Sequence, residues 1–382
     1  MRDAVIVDAV RTPVGKRNGA LSQSHAVSLS AHVLEALRQR VDLDPSIVDD
    51  VIWGCVIAVG MQAGCVARAA VLAAGWPESV PGVTVDRQCG SSQQAVHQAA
   101  AGVISGQYDV AIAGGVEIMS AVPLGASRGD GRFGDPFGPL VFQRYGVRFN
   151  QGVGAEMIAK EYGLSRAQLD QHALDSHARA ARAIDEGRFA GQVTPVPVGD
   201  TVFDTDEGVR RGSTLEALAG LKTSFDPEGV ITAGNASQIS DGSAALLVTT
   251  SEVARAQGWT PIARVHTAVL AGTDPVTMLK GPIPATAKAL KRAGLSIGDI
   301  DTYEINEAFA PVTLAWLRET GADYERLNPN GGAMALGHPL GASGARLMTT
   351  LVHHMRDQGH RYGLQAMCEG GGMANATILE LV

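Results

Sequence analysis

Three side chains that can exchange acyl groups and protons lie in separate glycine-rich segments of the sequence. Cys89 occurs in RQCGSS, His338 in LGHP and Cys368 in MCEGGG. A cysteine thiolate attacks a thioester, an imidazole accepts the thiol proton, and a second thiol can carry another proton. These residues together predict acyl transfer through a cysteine nucleophile, if folding brings them to one site.

The segment around Cys89 predicts a strand, a tight turn and a helix. Residues 83–85 (VTV) are typical of a strand, residues 88–90 (QCG) of a turn, and residues 91–104 of a helix built from small side chains. We therefore expect Cys89 near a helix N-terminus, where free N–H groups and the helix dipole favour the thiolate.

His338 is the candidate base for Cys89. It lies between Gly337 and Gly341, which permit a sharp backbone turn and a close approach of substrate. An imidazole has an ordinary pKa of about 6.5, so it can accept a thiol proton near neutral pH.

Short apolar strands alternate with helical segments over most of the chain. The pattern begins with a strand at residues 4–7, a helix at 29–40 and a strand at 51–54, and it returns at a strand of residues 244–248. From residue 263 onward the same alternation is repeated on a similar scale. This predicts an α/β fold with a largely buried sheet and a duplicated architecture.

Residues 120–238 interrupt the alternation. Glycine, proline, arginine and aspartate are spread through residues 123–149, and helices are predicted at 154–162 and 166–186. A stretch of this length between strands predicts an inserted domain rather than one loop. The expected division is a first domain of residues 1–119 and 239–261, an inserted loop domain of residues 120–238, and a C-terminal domain of residues 262–382.

Composition narrows the class of protein. A chain of 382 residues exceeds the usual size of one hydrophobic core, and a net charge of -8 argues against nucleic acid as a partner. No stretch is long and apolar enough to insert into a membrane, and residues 1–8 lack the core of a signal peptide. The four cysteines have neither disulfide-framework nor zinc-site spacing. We therefore expect a cytoplasmic protein with reduced thiols and no metal.

Four sequence blocks occur in the order found in thiolases. They are residues 87–91 (RQCGS), 306–309 (NEAF), 337–344 (GHPLGASG) and 368–372 (CEGGG). The chain resembles the thiolase family, which comprises acetyl-CoA C-acyltransferases and acetyl-CoA acetyltransferases, over essentially its whole length. The first block looks most similar to a branch that includes actinobacterial lipid- and sterol-degrading members.

The resemblance implies a fold, a substrate class and an assembly. The implied fold is a thiolase-like α/β architecture with two similar βαβαβαββ domains in a five-layered α/β/α/β/α core, with an inserted loop domain. The implied substrates are acyl-CoA thioesters, with coenzyme A as a substrate rather than a cofactor. The implied working form is a homodimer or homotetramer.

The resemblance also implies a role for each motif residue. Cys89 would carry the acyl group, His338 would activate it, and Cys368 would exchange the proton on the α-carbon of acetyl-CoA. The N–H groups of Cys89 and Gly370 would form one oxyanion hole. Asn306 would hold a water that forms a second oxyanion hole with His338.

Two further residues resemble family positions that bind coenzyme A. Arg210 matches a position near the nucleotide, where a guanidinium pairs with phosphate or stacks on adenine. Ser237 matches a position near the pantetheine arm, whose amides a hydroxyl can bond.

Two positions depart from the family pattern. Gln151 stands in a segment that lacks the His-Met pair of acetoacetyl-CoA thiolases, a pair that shapes the acyl pocket. This difference favours degradation of larger 3-oxoacyl-CoA substrates. Ala374 occupies a position where many thiolases have glycine, and a methyl group there is compatible only with an ordinary backbone conformation.

The sequence therefore predicts thiolytic cleavage of 3-oxoacyl-CoA to acetyl-CoA and a shortened acyl-CoA, reversible as a Claisen condensation. One alternative is a biosynthetic thiolase specific for acetoacetyl-CoA. A second is a ketoacyl synthase-like condensing enzyme, against which Cys368 argues. A third is an inactive thiolase-like lipid-binding scaffold, which the joint presence of Cys89, His338 and Cys368 makes less economical.

Overall fold

The structure, a computed structural model, describes residues 2–132 and 134–382. Its strands are β1 Val5–Arg11, β2 Gly15–Lys16, β3 Asp50–Gly54, β4 Gly82–Val85, β5 Val110–Ile118, β6 Val196–Val198, β7 Thr201–Phe203, β8 Ser240–Thr249, β9 Ala263–Gly272, β10 Thr302–Ile305, β11 Tyr362–Glu369 and β12 Met373–Leu381. Its α-helices are α1 Ala26–Val41, α2 Val66–Ala73, α3 Ser91–Ser105, α4 Gly138–Tyr145, α5 Gln151–Glu161, α6 Arg166–Asp185, α7 Leu215–Ala219, α8 Ser251–Ala256, α9 Pro282–Ala293, α10 Ala310–Thr320, α11 Ala333–Leu336 and α12 Leu340–Gln358.

The main sheet consists of two halves with the same strand pattern. The first half runs β4-β3-β5-β8-β1, with β2 beside β8, and the second runs β10-β11-β12-β9. In each half a parallel pair, β3–β5 or β10–β11, is followed by two antiparallel pairs. The halves meet through β1 and β9, which pair at Val5–Arg264 and Ile6–Ala263. The predicted duplication is therefore present in the strand order.

Helices cover both halves and separate them. Helices α1 and α2 pack on the first half, α9 packs on the second, and α3 and α12 lie between the two. On α3, Gln93 and His97 both reach the hydroxyl of Thr377 on β12, each at 2.7 Å. The order of layers is α/β/α/β/α, as expected for a thiolase-like fold.

The regular structure in residues 120–132 and 134–238 consists of helices and a short hairpin, joined by extended loops. Helices α4 to α7 lie in this segment, and β6 pairs with β7. Helices α5 and α6 pack against α10, and α6 packs against α11. The segment therefore lies over the part of the second half that leads from β10 to α12.

Helix ends agree closely with the sequence except at the starts of α1 and α5. Helix α1 begins at Ala26, three residues before the predicted start. Helix α6 begins at a capping box formed by Ser165 and Gln168, and α3 ends at Gly106 with φ of 82°. Helix α5 begins at Gln151, three residues before the predicted start. The reason is the side chain of Asn150, which accepts hydrogen bonds from the N–H groups of Gly152 and Val153.

Candidate active site

Cys89 lies in a tight turn between β4 and α3, as predicted. The turn places Gln88 in the left-handed region, with φ of 50°, and its N–H donates to Asp86 Oδ1 at 2.7 Å. Gly90 begins the helix, and a Cβ on it would lie 2.0 Å from Glu369 Oε1. The glycine therefore allows the turn to pack directly on the end of β11.

Burial makes Cys89 a protonated thiol in the resting site. Only 4% of the residue is exposed. Burial, and next the charge of Glu369, raise the pKa of the thiol to about 12. The Gln151 side chain and the N–H groups of Cys89 and Gly370 oppose this shift by hydrogen bonding to the sulfur. The effect of desolvation on the thiol pKa is thus larger than the opposing effect of the helix N-terminus. Cys89 therefore needs a base to become a thiolate.

Cys368 lies at the end of β11, paired with Ala374 on β12. It is fully buried, and its pKa is raised first by burial and then by the neighbouring Cys89. The Asn306 side chain hydrogen-bonds to the thiol and lowers its pKa. Ala374 has a strand conformation, so its methyl group fits without strain, and a Cβ built on Gly281 would lie 2.8 Å from that methyl.

His338 occupies the turn between α11 and α12. Gly337 before it has φ of 102°, and a Cβ there would lie 2.3 Å from Ser240 Oγ. The Ser343 hydroxyl donates to the Pro339 carbonyl at 2.8 Å and lies 2.6 Å from His338 Nδ1. Because the hydroxyl proton is donated to Pro339, the hydroxyl oxygen can only accept a hydrogen bond from Nδ1. The imidazole proton is therefore on Nδ1, and Nε2 is unprotonated.

The imidazole of His338 is neutral at physiological pH. Burial, and next the nearby positive charge of Arg346, lower its pKa to about 3. Its Nε2 lies 3.4 Å from Asn306 Nδ2. A neutral ring with an unprotonated Nε2 is the form that can accept a proton.

Asn306 links the histidine to the second cysteine. It follows β10, and its N–H donates to the Ala366 carbonyl at 3.1 Å. Among the described residues its Oδ1 has no hydrogen-bond partner. The structure therefore brings Cys89, Cys368, Asn306 and His338 into one buried, contiguous set, with Gly370 beside Cys89.

Two buried glutamates hold the loops of this site. Glu307 lies within the NEAF block, whereas no motif in the sequence marks Glu117. Glu117 on β5 accepts N–H groups from Val56, Ile57 and Gly341 at 3.0, 3.1 and 2.8 Å. Glu307 accepts the N–H of Met334 at 3.1 Å. Glu117 joins the loop after β3 to α12, and Glu307 anchors α11.

The two predicted coenzyme A residues lie in different surroundings. Ser237 is half-buried, and its N–H donates to the Ala308 carbonyl at 3.0 Å, beside the loop that carries Asn306. Arg210 is exposed, and its backbone N–H donates to His177 Nδ1 at 3.1 Å. The structure therefore brings Ser237 close to the loop that carries Asn306 and leaves Arg210 at the surface.

All four cysteines are free thiols, as expected. Within residues 2–132 and 134–382, no group of three or more His, Cys, Asp or Glu side chains is arranged to hold a metal ion. No helix of the described chain is long and apolar enough to cross a membrane.

The layered α/β fold and this buried site define the class of protein, an acyltransferase. Residues 4–252 match the model of the thiolase N-terminal domain, and residues 259–381 match that of the thiolase C-terminal domain. The chain belongs to the thiolase family, which confirms the resemblance seen in its four sequence blocks.

Individual relatives match over the full chain. The chain is 50% identical to a steroid 3-ketoacyl-CoA thiolase of Mycobacterium tuberculosis, covering 100% of this chain and 94% of the relative. It is 43% identical to an acetyl-CoA acetyltransferase of Escherichia coli, covering 100% and 99%. The crystal structure of the Bacillus anthracis acetyl-CoA acetyltransferase superposes with a TM-score of 0.93 at 38% identity, covering 100% of this chain and 99% of that one. The fold prediction is confirmed.

Proposed function

We propose that this protein is a 3-oxoacyl-CoA thiolase. It cleaves 3-oxoacyl-CoA with free coenzyme A into acetyl-CoA and a shortened acyl-CoA, through an acyl group carried on Cys89. The observation that carries the proposal is the buried set of Cys89, Cys368, Asn306 and His338, in which Cys89 raises the pKa of Cys368 and Asn306 links Cys368 to the neutral imidazole. Relatives named 3-ketoacyl-CoA thiolase support it.

The first half-reaction transfers the acyl group to the enzyme. His338 Nε2 takes the Cys89 proton, and the thiolate attacks the 3-oxo carbon of the substrate. The N–H groups of Cys89 and Gly370 stabilise the negative oxygen. When the bond between C2 and C3 breaks, its electron pair forms the enolate of acetyl-CoA, and Cys368 protonates C2.

The second half-reaction releases the product. Cys368, now a thiolate, takes the proton of free coenzyme A, whose sulfur attacks the acyl group on Cys89. The departing Cys89 thiolate recovers its proton from the imidazolium of His338. The groups return to their starting protonation states, so the same set also catalyses the reverse condensation.

Asn306 and His338 stabilise the enolate oxygen in this scheme. The free Oδ1 of Asn306 can orient a water, and the protonated imidazole donates from Nε2 once it has taken the Cys89 proton. Removal of the thiols from bulk water also protects the acyl-enzyme from hydrolysis.

Coenzyme A binding is assigned to two residues. Ser237 would contact the pantetheine arm, in keeping with its half-buried place beside the catalytic loop. Arg210 would contact the nucleotide at the protein surface. We place the working enzyme in the cytoplasm as a homodimer or homotetramer.

A second candidate is a thiolase specific for acetoacetyl-CoA, because a relative at 43% identity is named acetyl-CoA acetyltransferase. A panel of 3-oxoacyl-CoA esters from acetoacetyl-CoA to a sterol-sized acyl group separates the two, with acetyl-CoA release as the measurement. Turnover of the longer esters supports the leading proposal, and turnover of acetoacetyl-CoA alone supports the second. A requirement for a malonyl donor would indicate a ketoacyl synthase, and no turnover would indicate a scaffold.

A further inference from the structure

Gln151 places a side-chain amide at the nucleophile. It is the first residue of α5, and its amide hydrogen-bonds to the Cys89 sulfur. Its Nε2 would lie 3.3 Å from a Cβ built on Gly370, so the amide is also adjacent to the proposed oxyanion hole. The side chain therefore lies where the acyl group is transferred.

The backbone at Gln151 is held firmly by its neighbours. Asn150 caps the helix, accepting from Gly152 N–H at 2.9 Å. A Cβ on Gly152 would lie 2.2 Å from the Phe225 ring, so the helix packs closely against that side chain. One turn further, Glu156 accepts the N–H groups of Val230 and Ile231, each at 2.9 Å. The helix cap, the Phe225 ring and the hydrogen bonds of Glu156 together hold the start of α5 in place. These contacts orient the side chain of Gln151.

The chemistry of an amide suits this place. It donates a hydrogen bond without carrying a charge, so it stabilises a thiolate without taking a proton from it. The site needs such donors, because burial and the charge of Glu369 both act against the thiolate. A methionine thioether of similar length has no N–H group to offer.

We propose that Gln151 is a further catalytic residue of this site, whose side-chain N–H donates to the Cys89 sulfur and stabilises the thiolate that attacks the acyl carbon. The catalytic role of Gln151 rests on the proposed thiolase function. The hydrogen bond itself does not depend on which acyl-CoA is the substrate.

The test is the pH dependence of Cys89 alkylation by iodoacetamide, measured at that residue by peptide mass spectrometry in the substrate-free protein. A hydrogen bond to a charged acceptor is equivalent to about one pKa unit, so Q151M should alkylate about tenfold more slowly below the thiol pKa. Q151E should be slower still, because its carboxylate repels the thiolate. The matched control Q171M removes an exposed amide of α6 and should alkylate like the wild type.

Folding and function are checked separately. Thermal unfolding of Q151M should match that of the wild type, and Q151E, which keeps the polar side chain, serves if Q151M fails to fold. Equal alkylation rates in Q151M, Q151E and wild type would overturn the proposal. Slower alkylation in a protein that cleaves no 3-oxoacyl-CoA would support the hydrogen bond and reject the thiolase function instead.

Discussion

At the scale of single residues, the site is governed by burial. Desolvation raises the pKa of both thiols and lowers that of the imidazole, so each group is neutral before substrate binds. In the proposed mechanism, acyl transfer therefore depends on proton transfers between Cys89, His338 and Cys368 rather than on a preformed ion pair. Hydrogen bonds from fixed donors then decide how readily the Cys89 thiolate forms.

Glu369 adds a pH-sensitive charge beside Cys89. Both of its carboxylate oxygens lack a partner among the described residues, and burial raises its pKa to about 8, against the opposing charge of Arg87. Below that pH the acid is neutral. Above it, the negative charge raises the pKa of Cys89 and disfavours the thiolate.

We therefore expect E369Q to speed alkylation of Cys89 only at high pH. At pH 6.5 the variant and wild type should react alike, and at pH 9.5 the variant should be faster by roughly up to tenfold, the equivalent of one pKa unit. The measurement is site-resolved alkylation across this range, with E78Q at an exposed position as the control. The same rate ratio at both pH values would contradict the assignment.

The chemistry-bearing residues could be predicted from the sequence, and their partners could not. Cys89, His338 and Cys368 stand in short motifs with distinctive residue types. Ser343, by contrast, fixes the tautomer of His338 only because one turn of α12 brings its hydroxyl back to the ring. The sequence relates Gln151 to acyl specificity. Its hydrogen bond to Cys89 could not be predicted, because it joins segments that are distant in the sequence.

At the scale of elements, the catalytic groups are carried on turns and strand ends held by regular structure. Cys89 precedes α3, Cys368 ends β11, Asn306 follows β10 and His338 precedes α12. Because α3 and α12 pack between the two half-sheets, the site is built at the junction of the duplicated halves. Local strain in these turns is tolerated because the surrounding elements are buried.

Gly337→Ala tests one of these turns. Its φ of 102° disfavours any side chain, and the added Cβ would also lie 2.3 Å from Ser240 Oγ. The change should cost more than the ~1–2 kcal/mol typical of a left-handed residue, and it should displace His338 and abolish turnover. Thermal unfolding and thiolysis assays are the measurements.

The matched control is Gly359→Ala. Its φ of 66° is also positive, but nothing lies within 4 Å of the added Cβ. This variant should be destabilised only by the conformational cost of the left-handed residue, and it should keep its activity. Equal loss of stability in both variants would show that the contact with Ser240 does not matter.

Most strands and helices could be predicted from the sequence, because the apolar periodicity that indicates them is a local feature of the chain. The predicted strand at residues 244–248 is part of the longer β8, since pairing with β5 and β2 extends it toward Ser240 and pairing with β1 and β5 extends it to Thr249. The early start of α5 required recognition of the Asn150 cap. The domain division at residues 119/120, 238/239 and 261/262 stays a prediction.

At the scale of the whole molecule, buried ionisable groups make stability depend on pH in two opposite ways. Burial lowers the pKa of His97, His177 and His354 to about 4, so their contribution is present above the unfolded value of 6.5 and is lost as pH falls. Burial raises the pKa of Glu304 and Glu369 to about 8, so the folded state binds their protons more tightly. Their contribution is lost as pH rises from the unfolded 4.5 to about 8.

We expect the free energy of unfolding to be greatest near pH 6.5 and to decline toward pH 8. Near pH 6.5 the histidines of the unfolded chain are about half protonated, which offsets part of the decline. Toward pH 8 they are neutral in both states, so the two glutamates determine the slope there. Urea unfolding at pH 6.5 and 8, at fixed protein concentration, is the measurement. E304Q should flatten the decline and the exposed control E228Q should not. Greater stability at pH 8 than at pH 6.5 would contradict this expectation.

The central claim is that Cys89 carries the acyl group. Its most direct test is the intact mass of the protein after incubation with acetyl-CoA, followed by peptide mapping. The wild type and C368A should each gain one acetyl group on Cys89, while a folded C89A should gain none. Acetylation of C89A to the same extent as the wild type would contradict the account.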